Sequence, residues 1–394
     1  MSDDSKKGAS KKGSLVGERI SIQIEKMVVG GQALARHEGL VVFVDDAAPG
    51  DKLTVQITEH KKNLAYAQVV SLDTESQLRT KPVCAHYGTC GGCSWQHLDA
   101  STQLGQKQKI VESSLRAFIA AQSVQVLPII KSSVSFNYRN RVQMTYDGKD
   151  LCFFGRRSQN LIPIQHCALA EKPINDFIQS GKKKNLKPQH RYEIRISETH
   201  PDFAESFLVS EDSAHSNFSQ VNRFQNQDLI DSTIRTLKSN SQSRLFELYA
   251  GSGNFTFPFY KNLKFKEIVA VEGSQKLVSL AHLRIQSENI SAKKLNFFVG
   301  DVENFLNVSW PTSDDVVFMD PPRIGSTEAT MKILALSKPR QILYLSCHPV
   351  TLARDLQWLM QYQPRYKIEF IQPFEMFPQT EHVETLVSLT LTDN

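Results

Sequence analysis

From residue 226 onward, apolar runs of strand length alternate with stretches of helical periodicity. Arg244–Tyr249, Ile268–Glu272, Leu295–Asp301, Asp315–Asp320 and Gln341–Cys347 read as strands, and helix-length periodicity fills 274–288. This βαβ rhythm predicts an α/β fold built on a doubly wound parallel sheet over 226–394. The fourth run ends in Asp320-Pro321-Pro322-Arg323 and the fifth in Cys347-His348-Pro349. Open α/β sheets bind ligands in the crevice beyond the carboxyl ends of their strands. A carboxylate and a thiol delivered there by neighbouring strands are a candidate active site.

Upstream, the pattern is that of short β-strands. Ile20–Ile24, Leu40–Val44, Leu53–Ile57 and Leu64–Val70 are alternating or β-rich runs, separated by Gly30-Gly31, His37-Glu38-Gly39 and Pro49-Gly50-Asp51. Such spacing predicts a small β-barrel over 16–74. Small barrels either bind RNA through strand faces and loops or serve as structural modules. Residues 75–225 are predicted to form a β-rich central domain. It would hold an amphipathic helix over 100–122, with Leu104, Ile110, Val111, Leu115, Phe118 and Ile119 as its apolar face. A strand over 136–146, an Asp147-Gly148 hairpin turn and a return strand Leu151–Phe154 would follow. Residues 1–15 are rich in Lys, Ser and Gly and are predicted to be a disordered basic tail, with Lys6, Lys7, Lys11 and Lys12 as phosphate contacts or mere solubilisers.

Composition narrows the function classes. With 394 residues, the chain is too long for one ordinary core. No apolar run approaches the ~20 residues of a membrane span, and the polar amino terminus lacks the apolar stretch of a signal peptide. A cytoplasmic protein without membrane attachment is expected. The net charge of +5 is compatible with a nucleic-acid partner. Arg139, Arg141, Arg156 and Arg157, interleaved with aromatics, give the central domain a basic face, and Lys182, Lys183, Lys184, Lys187 and Arg191 add a positive run. No feature calls for an obligate protein partner, and a monomer is expected.

Six cysteines in a cytoplasmic chain of this size are not a disulfide framework. Cys84, Cys90 and Cys93 stand as C-x5-C-x2-C, with Gly91-Gly92 allowing a tight fold. Cys167 is the leading fourth ligand, and Cys152, within the apolar run Leu151–Phe154, reads as core. Four thiolates suit an iron–sulfur cluster or zinc, with His86, His97 and His166 as further zinc ligands.

Gly251-Ser-Gly253 after the first strand opens a helix, but Thr256 stands where a dinucleotide fingerprint needs its third glycine. Glu272 ends the second strand, where it can accept from ribose hydroxyls. Asp301 follows the third, where it can accept from an adenine amino group or merely cap a helix. A nucleoside held without pyrophosphate suggests S-adenosylmethionine. Asp-Pro-Pro followed by an aromatic marks amine methylation. Here Arg323 follows, and a cysteine ends the next strand, which suits carbon methylation. C5 of uracil is a poor nucleophile until a thiolate adds at C6, and a base must then remove the C5 proton. Glu384 begins the last alternating run. If that strand is antiparallel to the others, Glu384 shares the sheet edge with Cys347 and is the candidate base, with Glu381 its nearest rival. Arg323 can hold substrate or lower the thiol's pKa.

Together these residues resemble the RNA uracil-C5 methyltransferases that carry an amino-terminal TRAM domain and an iron–sulfur cluster. The resemblance spans 16–390. It rests on Cys84-x5-Cys90-Gly-Gly-Cys93, Cys167, Phe218-Ser-Gln220-Val-Asn222, Gly251-Ser-Gly253-Asn254-Phe255, Glu272, Asp320-Pro-Pro-Arg323, Ser346-Cys347-His-Pro-Val-Thr-Leu-Ala-Arg-Asp355 and His382-Val-Glu384. It implies an OB-like TRAM barrel, a β-rich central domain and a Rossmann-like class I methyltransferase domain. By the same resemblance, Cys84, Cys90, Cys93 and Cys167 would hold a [4Fe-4S] cluster. Gln220, Tyr249, Gly251, Asn254, Glu272, Asp301 and Asp320 would contact S-adenosylmethionine. Cys347 would be the nucleophile and Glu384 the proton acceptor. The implied substrate is RNA: 23S rRNA for most members with both features, the T-loop of tRNA for some relatives. A non-catalytic RNA-binding protein on this scaffold is the alternative, and the intact Cys347/Glu384 pair speaks against it. The chain departs from the family at His348, where many members have Asn, and at Tyr249, often Phe.

Overall fold

The computed structural model describes residues 14–180, 186–197, 200–209 and 220–392. The predicted tail lysines and Lys182, Lys183 and Lys184 lie outside the described residues. Two compact units divide the chain.

The first holds the described residues up to Lys81 together with His97–Asp99. Its strands are β1 (Arg19–Gln23), β2 (Lys26–Met27), β3 (Ala33–His37), β4 (Leu40–Val44), β5 (Lys52–Lys61) and β6 (Leu64–Thr74), ordered β1-β5-β6-β4-β3-β2. Alternation turns Leu53, Val55 and Ile57 of β5 into its core. The fully buried Asp51 ties the unit's ends together, accepting from Arg79 at 2.7 Å and from the Ala48 and Ser76 N–H groups. Strands β2 and β3 were not expected. The first has two residues, and Ala33-Leu-Ala-Arg has little β propensity of its own.

The second unit comprises 82–96 and the described residues from Ala100 on. The helix predicted over 100–122 is broken at Leu115 into α1 (Ala100–Ser114) and α2 (Arg116–Gln122). A five-stranded antiparallel sheet follows, with β7 (Arg141–Tyr146), β8 (Leu151–Phe154), β9 (Leu161–Pro163), β10 (His190–Ile196) and β11 (Ala204–Leu208) ordered β11-β10-β7-β8-β9. Helix α3 (Lys172–Gln179) covers one face. The strand expected from residue 136 starts only at Arg141, because the backbone of Asn137 and Arg139 bonds instead to Ala168 and Leu169.

The rest is α4 (Arg223–Thr236), β12 (Arg244–Leu248), α5 (Thr256–Asn262), β13 (Glu267–Glu272), α6 (Gln275–Ser287), β14 (Leu295–Val299), α7 (Val302–Val308), β15 (Val316–Met319), α8 (Glu328–Ser337), β16 (Gln341–Ser346), α9 (Pro349–Tyr362), β17 (Tyr366–Phe374) and β18 (Glu384–Leu391). The sheet order is β14-β13-β12-β15-β16-β18-β17, and β18 runs against all its companions. Strands buried on both faces alternate between two cores. Phe246, Leu248, Val317, Met319, Ile342 and Tyr344 face one; Leu245, Val316, Phe318, Leu343 and Leu345 face the other. The domain boundary expected at 225/226 does not separate two bodies. Val111, Leu115 and Val124 pack into the first of those cores, and Val126 and Ile130 pair with Ile371 and Phe374 at the sheet edge. Among the described residues, no helix is long and apolar enough to cross a membrane.

Candidate active site

Strand parity brings the reactive groups together. Ser346 pairs with Thr385 in the antiparallel β16–β18 ladder, so the next step outward sets Cys347 opposite Glu384. Two residues before Cys347 is Leu345, and two after Glu384 is Leu386; both face the second core, so thiol and carboxyl emerge on the same face. Asp320 stands two residues beyond Phe318 of that core, at the end of the neighbouring β15. All three line one cavity of about 1090 Å³ beyond the strand ends. Among the described residues, no side chain donates a hydrogen bond to the carboxyl of Asp320 or Glu384.

The electrostatics follow from burial. It raises Asp320 to about 7. It raises Glu384 to about 8, with the like charge of Asp320 adding to the effect. A third acid, Glu247, sits fully buried on β12, raised by burial to about 8, and its Oε2 has no hydrogen-bond partner among the described residues. Burial pushes the Cys347 thiol up to about 12; Glu384 and Asp320 push the same way, and Arg323 opposes them.

The wall at β12 and β13 is open backbone. Gly251 (φ +59°), Gly273 and Gly300 line the cavity, and a Cβ on any of them would meet empty space. Gly253 differs: its φ is +97°, and a Cβ there would sit 2.4 Å from the Phe257 ring. Glu272 is fixed by the backbone, accepting from Gly251 N–H at 2.9 Å and Ser274 N–H at 2.8 Å. Asp301 both lines the cavity and caps α7, accepting from Asn304 N–H at 3.0 Å. Asn254 exchanges two amide hydrogen bonds with Asn226. Tyr249 holds a left-handed φ of +64°, its hydroxyl 3.0 Å from Ser326 Oγ. Gln220 is buried in the lining.

The lining also holds Cys84, Cys90, Cys93 and Cys167. Burial raises Cys93 to about 12 and raises Cys90 and Cys167; neighbouring thiols add to each shift, while Arg139 opposes it. Gln96 Nε2 approaches Cys93 Sγ at 3.1 Å, and Gly92 N–H donates to Cys90 Sγ at 3.4 Å. Among the described residues, no three His, Cys, Asp or Glu side chains converge tightly enough to hold a single metal ion. His86 and His166 share the lining, whereas His97 belongs to the barrel unit. Cys152 is buried as core. Of the arginines predicted as a basic face, Arg139, Arg141 and Arg157 line the cavity, with Arg191 beside them. Arg156 instead donates to Cys93 O and covers the Tyr87 ring.

Comparison with known proteins places this arrangement. The sequence profile described as tRNA (Uracil-5-)-methyltransferase matches residues 208–392, and that of the TRAM domain matches 13–70. An uncharacterised RNA methyltransferase of Bdellovibrio bacteriovorus is 40% identical over 386 residues, covering 96% of each chain. The chain belongs to the RNA (uracil-5-)-methyltransferase family. A 23S rRNA (uracil(1939)-C(5))-methyltransferase RlmD of Shewanella baltica is 28% identical, covering 95% of this chain and 96% of its own. The crystal structure of the Pyrococcus abyssi tRNA (uracil-54, C5)-methyltransferase, solved with S-adenosyl-L-homocysteine, has the same fold. Its TM-score is 0.71 at 21% identity, over 94% of this chain and all of that one.

The methyltransferase's departure at His348 has a local cause. The ring is the N-cap of α9, its Nδ1 accepting from Thr351 N–H at 3.3 Å. Asparagine and neutral histidine both offer the acceptor a cap needs. Two residues behind the lining escaped sequence reading. Glu247, on which the charge of Asp320 acts, left a signal, a lone acid inside an apolar strand; Asn226, which bonds to Asn254, left none, since its partner lies 28 residues away.

Proposed function

We propose that this methyltransferase transfers a methyl group from S-adenosylmethionine to C5 of a uridine in RNA, with 23S rRNA as the substrate. One observation carries the reading: adjacent antiparallel strands deliver Cys347 and Glu384 side by side into one cavity. The choice of rRNA rests on the RlmD relatives, which match nearly end to end; the tRNA-modifying neighbour is more distant in sequence.

The glycine-lined wall fits the donor. It leaves room at Gly251, Gly273 and Gly300, offers the carboxylate oxygens of Glu272, Asp301 and Asp320, and takes Gln220, Tyr249 and Asn254 as further contacts. When bound, S-adenosylmethionine supplies an electrophilic methyl group on a sulfonium. The residues of the chain do the rest. The Cys347 thiol gives up its proton to solvent, and the thiolate adds to C6 of a uracil that has left its stack; the electron pair displaced onto C5 takes the methyl. Glu384 in its ionised form then accepts the C5 proton, the C5=C6 bond re-forms, and the C6–S bond breaks to return the thiolate. A carboxyl with a raised pKa is a stronger base than an ordinary one. Arg139, Arg141, Arg157 and Arg191 in the same lining suit phosphates of the same RNA.

For the four thiols that line the cavity, a [4Fe-4S] cluster is the reading proposed here, in line with the family resemblance. A cluster presents a separate iron to each cysteine, and N–H donors to sulfur, as at Cys90 and Cys93, are typical of such sites. Protein purified without oxygen is expected to carry close to four irons per chain; stoichiometric zinc without iron would remove this assignment. For the reaction itself, 5-methyluridine is mapped in ribosomal and transfer RNA from cells lacking the protein. Loss of one 23S site is the expected result, and loss from the tRNA T-loop alone would reassign the substrate.

A further inference from the structure

The segment Thr351-Leu-Ala-Arg354-Asp355, in the first turns of the helix that follows the nucleophile, takes no part in the steps above. Yet its polar atoms are fully engaged. Asp355 is completely buried, and its Oδ2 accepts from Ser326 N–H at 2.7 Å and from the Tyr344 hydroxyl at 2.5 Å. Its Oδ1 accepts from Arg354 at 2.7 and 2.9 Å. Arg354 spans the gap, donating to Ile324 O at 2.8 Å and Ser326 O at 3.1 Å while its guanidinium lies over the Trp358 ring. Thr351 Oγ1 donates to Arg323 O at 3.3 Å.

Every one of these bonds to the 323–326 loop ends on its backbone. Gly325 sits at the point of closest approach: with φ at +81°, a Cβ there would lie 2.5 Å from Asp355 Oδ2 and 2.6 Å from Arg354 Nη2. On the other side, Pro321 and Pro322 stiffen the chain, and Gly325 N–H donates to Pro322 O at 2.7 Å to close a turn. The loop is therefore fixed at 322, 323, 324 and 326, and it carries the exposed Arg323, which lines the same cavity as Cys347.

The groups acting on the Cys347 thiol come from three directions. Glu384 from β18 and Asp320 from the end of β15 disfavour the thiolate; Arg323 is a cation that favours it, and the neighbouring His348 ring is occupied in capping α9. We propose that Arg354 and Asp355 are positioning residues, a strut that sets the loop bearing Arg323 beside the cavity that Cys347 also lines, and so sustains the thiol's reactivity. The strut springs from the helix that starts two residues after the nucleophile, so the loop and the thiol share one rigid support. The proposal rests on Cys347 being the nucleophile, but its test needs neither RNA nor methyl donor.

The experiment is the rate of Cys347 alkylation by iodoacetamide between pH 7 and 10, read from the Cys347 peptide by mass spectrometry. It uses the full chain as wild type, Arg323→Gln, Arg354→Gln and Asp355→Asn. Below a thiol's pKa the rate follows the thiolate fraction, and one pKa unit is tenfold in that fraction. Arg323→Gln is expected to slow alkylation about 3- to 10-fold at pH 8. Arg354→Gln and Asp355→Asn should slow it in the same direction, and adding either to Arg323→Gln should slow it no further. Arg354 is part-exposed, so its variant keeps the test valid should Asp355→Asn fold poorly. A purely structural role would lower the melting temperature and leave the pH profile unmoved. That result, or a wild-type profile in Arg323→Gln, overturns the proposal. Failure of Cys347→Ala to abolish methylation would instead overturn the nucleophile assignment.

Discussion

Replacing Cys347 by alanine is expected to reduce methyl transfer at least about 10⁴-fold, because no other group can raise C5 of uracil to a competent nucleophile. Glu384→Gln should fail at a different step. Glutamine has nearly the same shape but accepts no proton, so addition and methylation proceed while the C5 proton stays in place. Turnover is expected to fall about 10²- to 10⁴-fold, and a covalent protein–RNA species should accumulate, visible as a retarded band on a denaturing gel. The double variant should show no band, since the bond that would be trapped runs through the Cys347 sulfur. The two groups stand opposite each other at the end of the β16–β18 ladder, so neither substitution disturbs how the other is presented. Cys347→Ala protein with a few per cent of normal activity would refute the scheme. So would a Glu384→Gln enzyme that turns over normally.

The same glutamine substitution should make the free protein more stable, and the gain should depend on pH. Glu384 titrates near 8 in the folded chain, raised by burial and by Asp320, against about 4.3 in an unfolded one. Between those values the folded state holds a proton that the unfolded state has lost, so folding is progressively penalised as pH rises. The penalty is absent below the unfolded pKa and complete above the folded one. Asp320 shares it, raised to about 7, so the portion removed by Glu384→Gln is about 2–4 kcal/mol at pH 8.5 and close to zero at pH 4.5. For a chain of this size that is a rise in melting temperature of roughly 2–5 °C at the alkaline end. Calorimetry at the two pH values decides it. Equal melting temperatures for wild type and variant at pH 8.5 would mean that Glu384 is not a strained, buried acid. A site that costs stability to hold its base ready is a recurring trade in enzymes.

The parts legible in the sequence are those written in consecutive residues. Apolar runs ending in Asp320 and Cys347 announce strands and their edge. Glu384 at the start of its run, rather than its end, was enough to ask for an antiparallel strand, and β18 is one. What the sequence hid depends on partners far along the chain. The pairing of Val126 and Ile130 with Ile371 and Phe374 crosses more than two hundred residues, and it ties to the large sheet a segment that local pattern assigned to the central domain. The break at Leu115 is invisible because the apolar face continues through it; Leu115 is itself wholly buried in the sheet's core. Arg354 and Asp355 stood in the sequence only as the tail of the motif that begins at Ser346, since nothing in their neighbourhood reveals the loop they bond to. Glu247 shows the limit from the other side: its position is plain, but the acid it answers to, Asp320, lies at the end of another strand.

Strand β17 carries a bulge between Ile368 and Phe370, where the β17–β18 pairing shifts by one position. Side chains along a strand take turns above and below the sheet, so a shift of one place exchanges the two sets. The surplus residue, Glu369, therefore re-aims the side chains of β17 alone. Strand β18, and the acid it carries, keeps the parity set by its uninterrupted pairing with β16, so the irregularity is confined to the edge of the sheet and leaves the sulfur and its partner undisturbed.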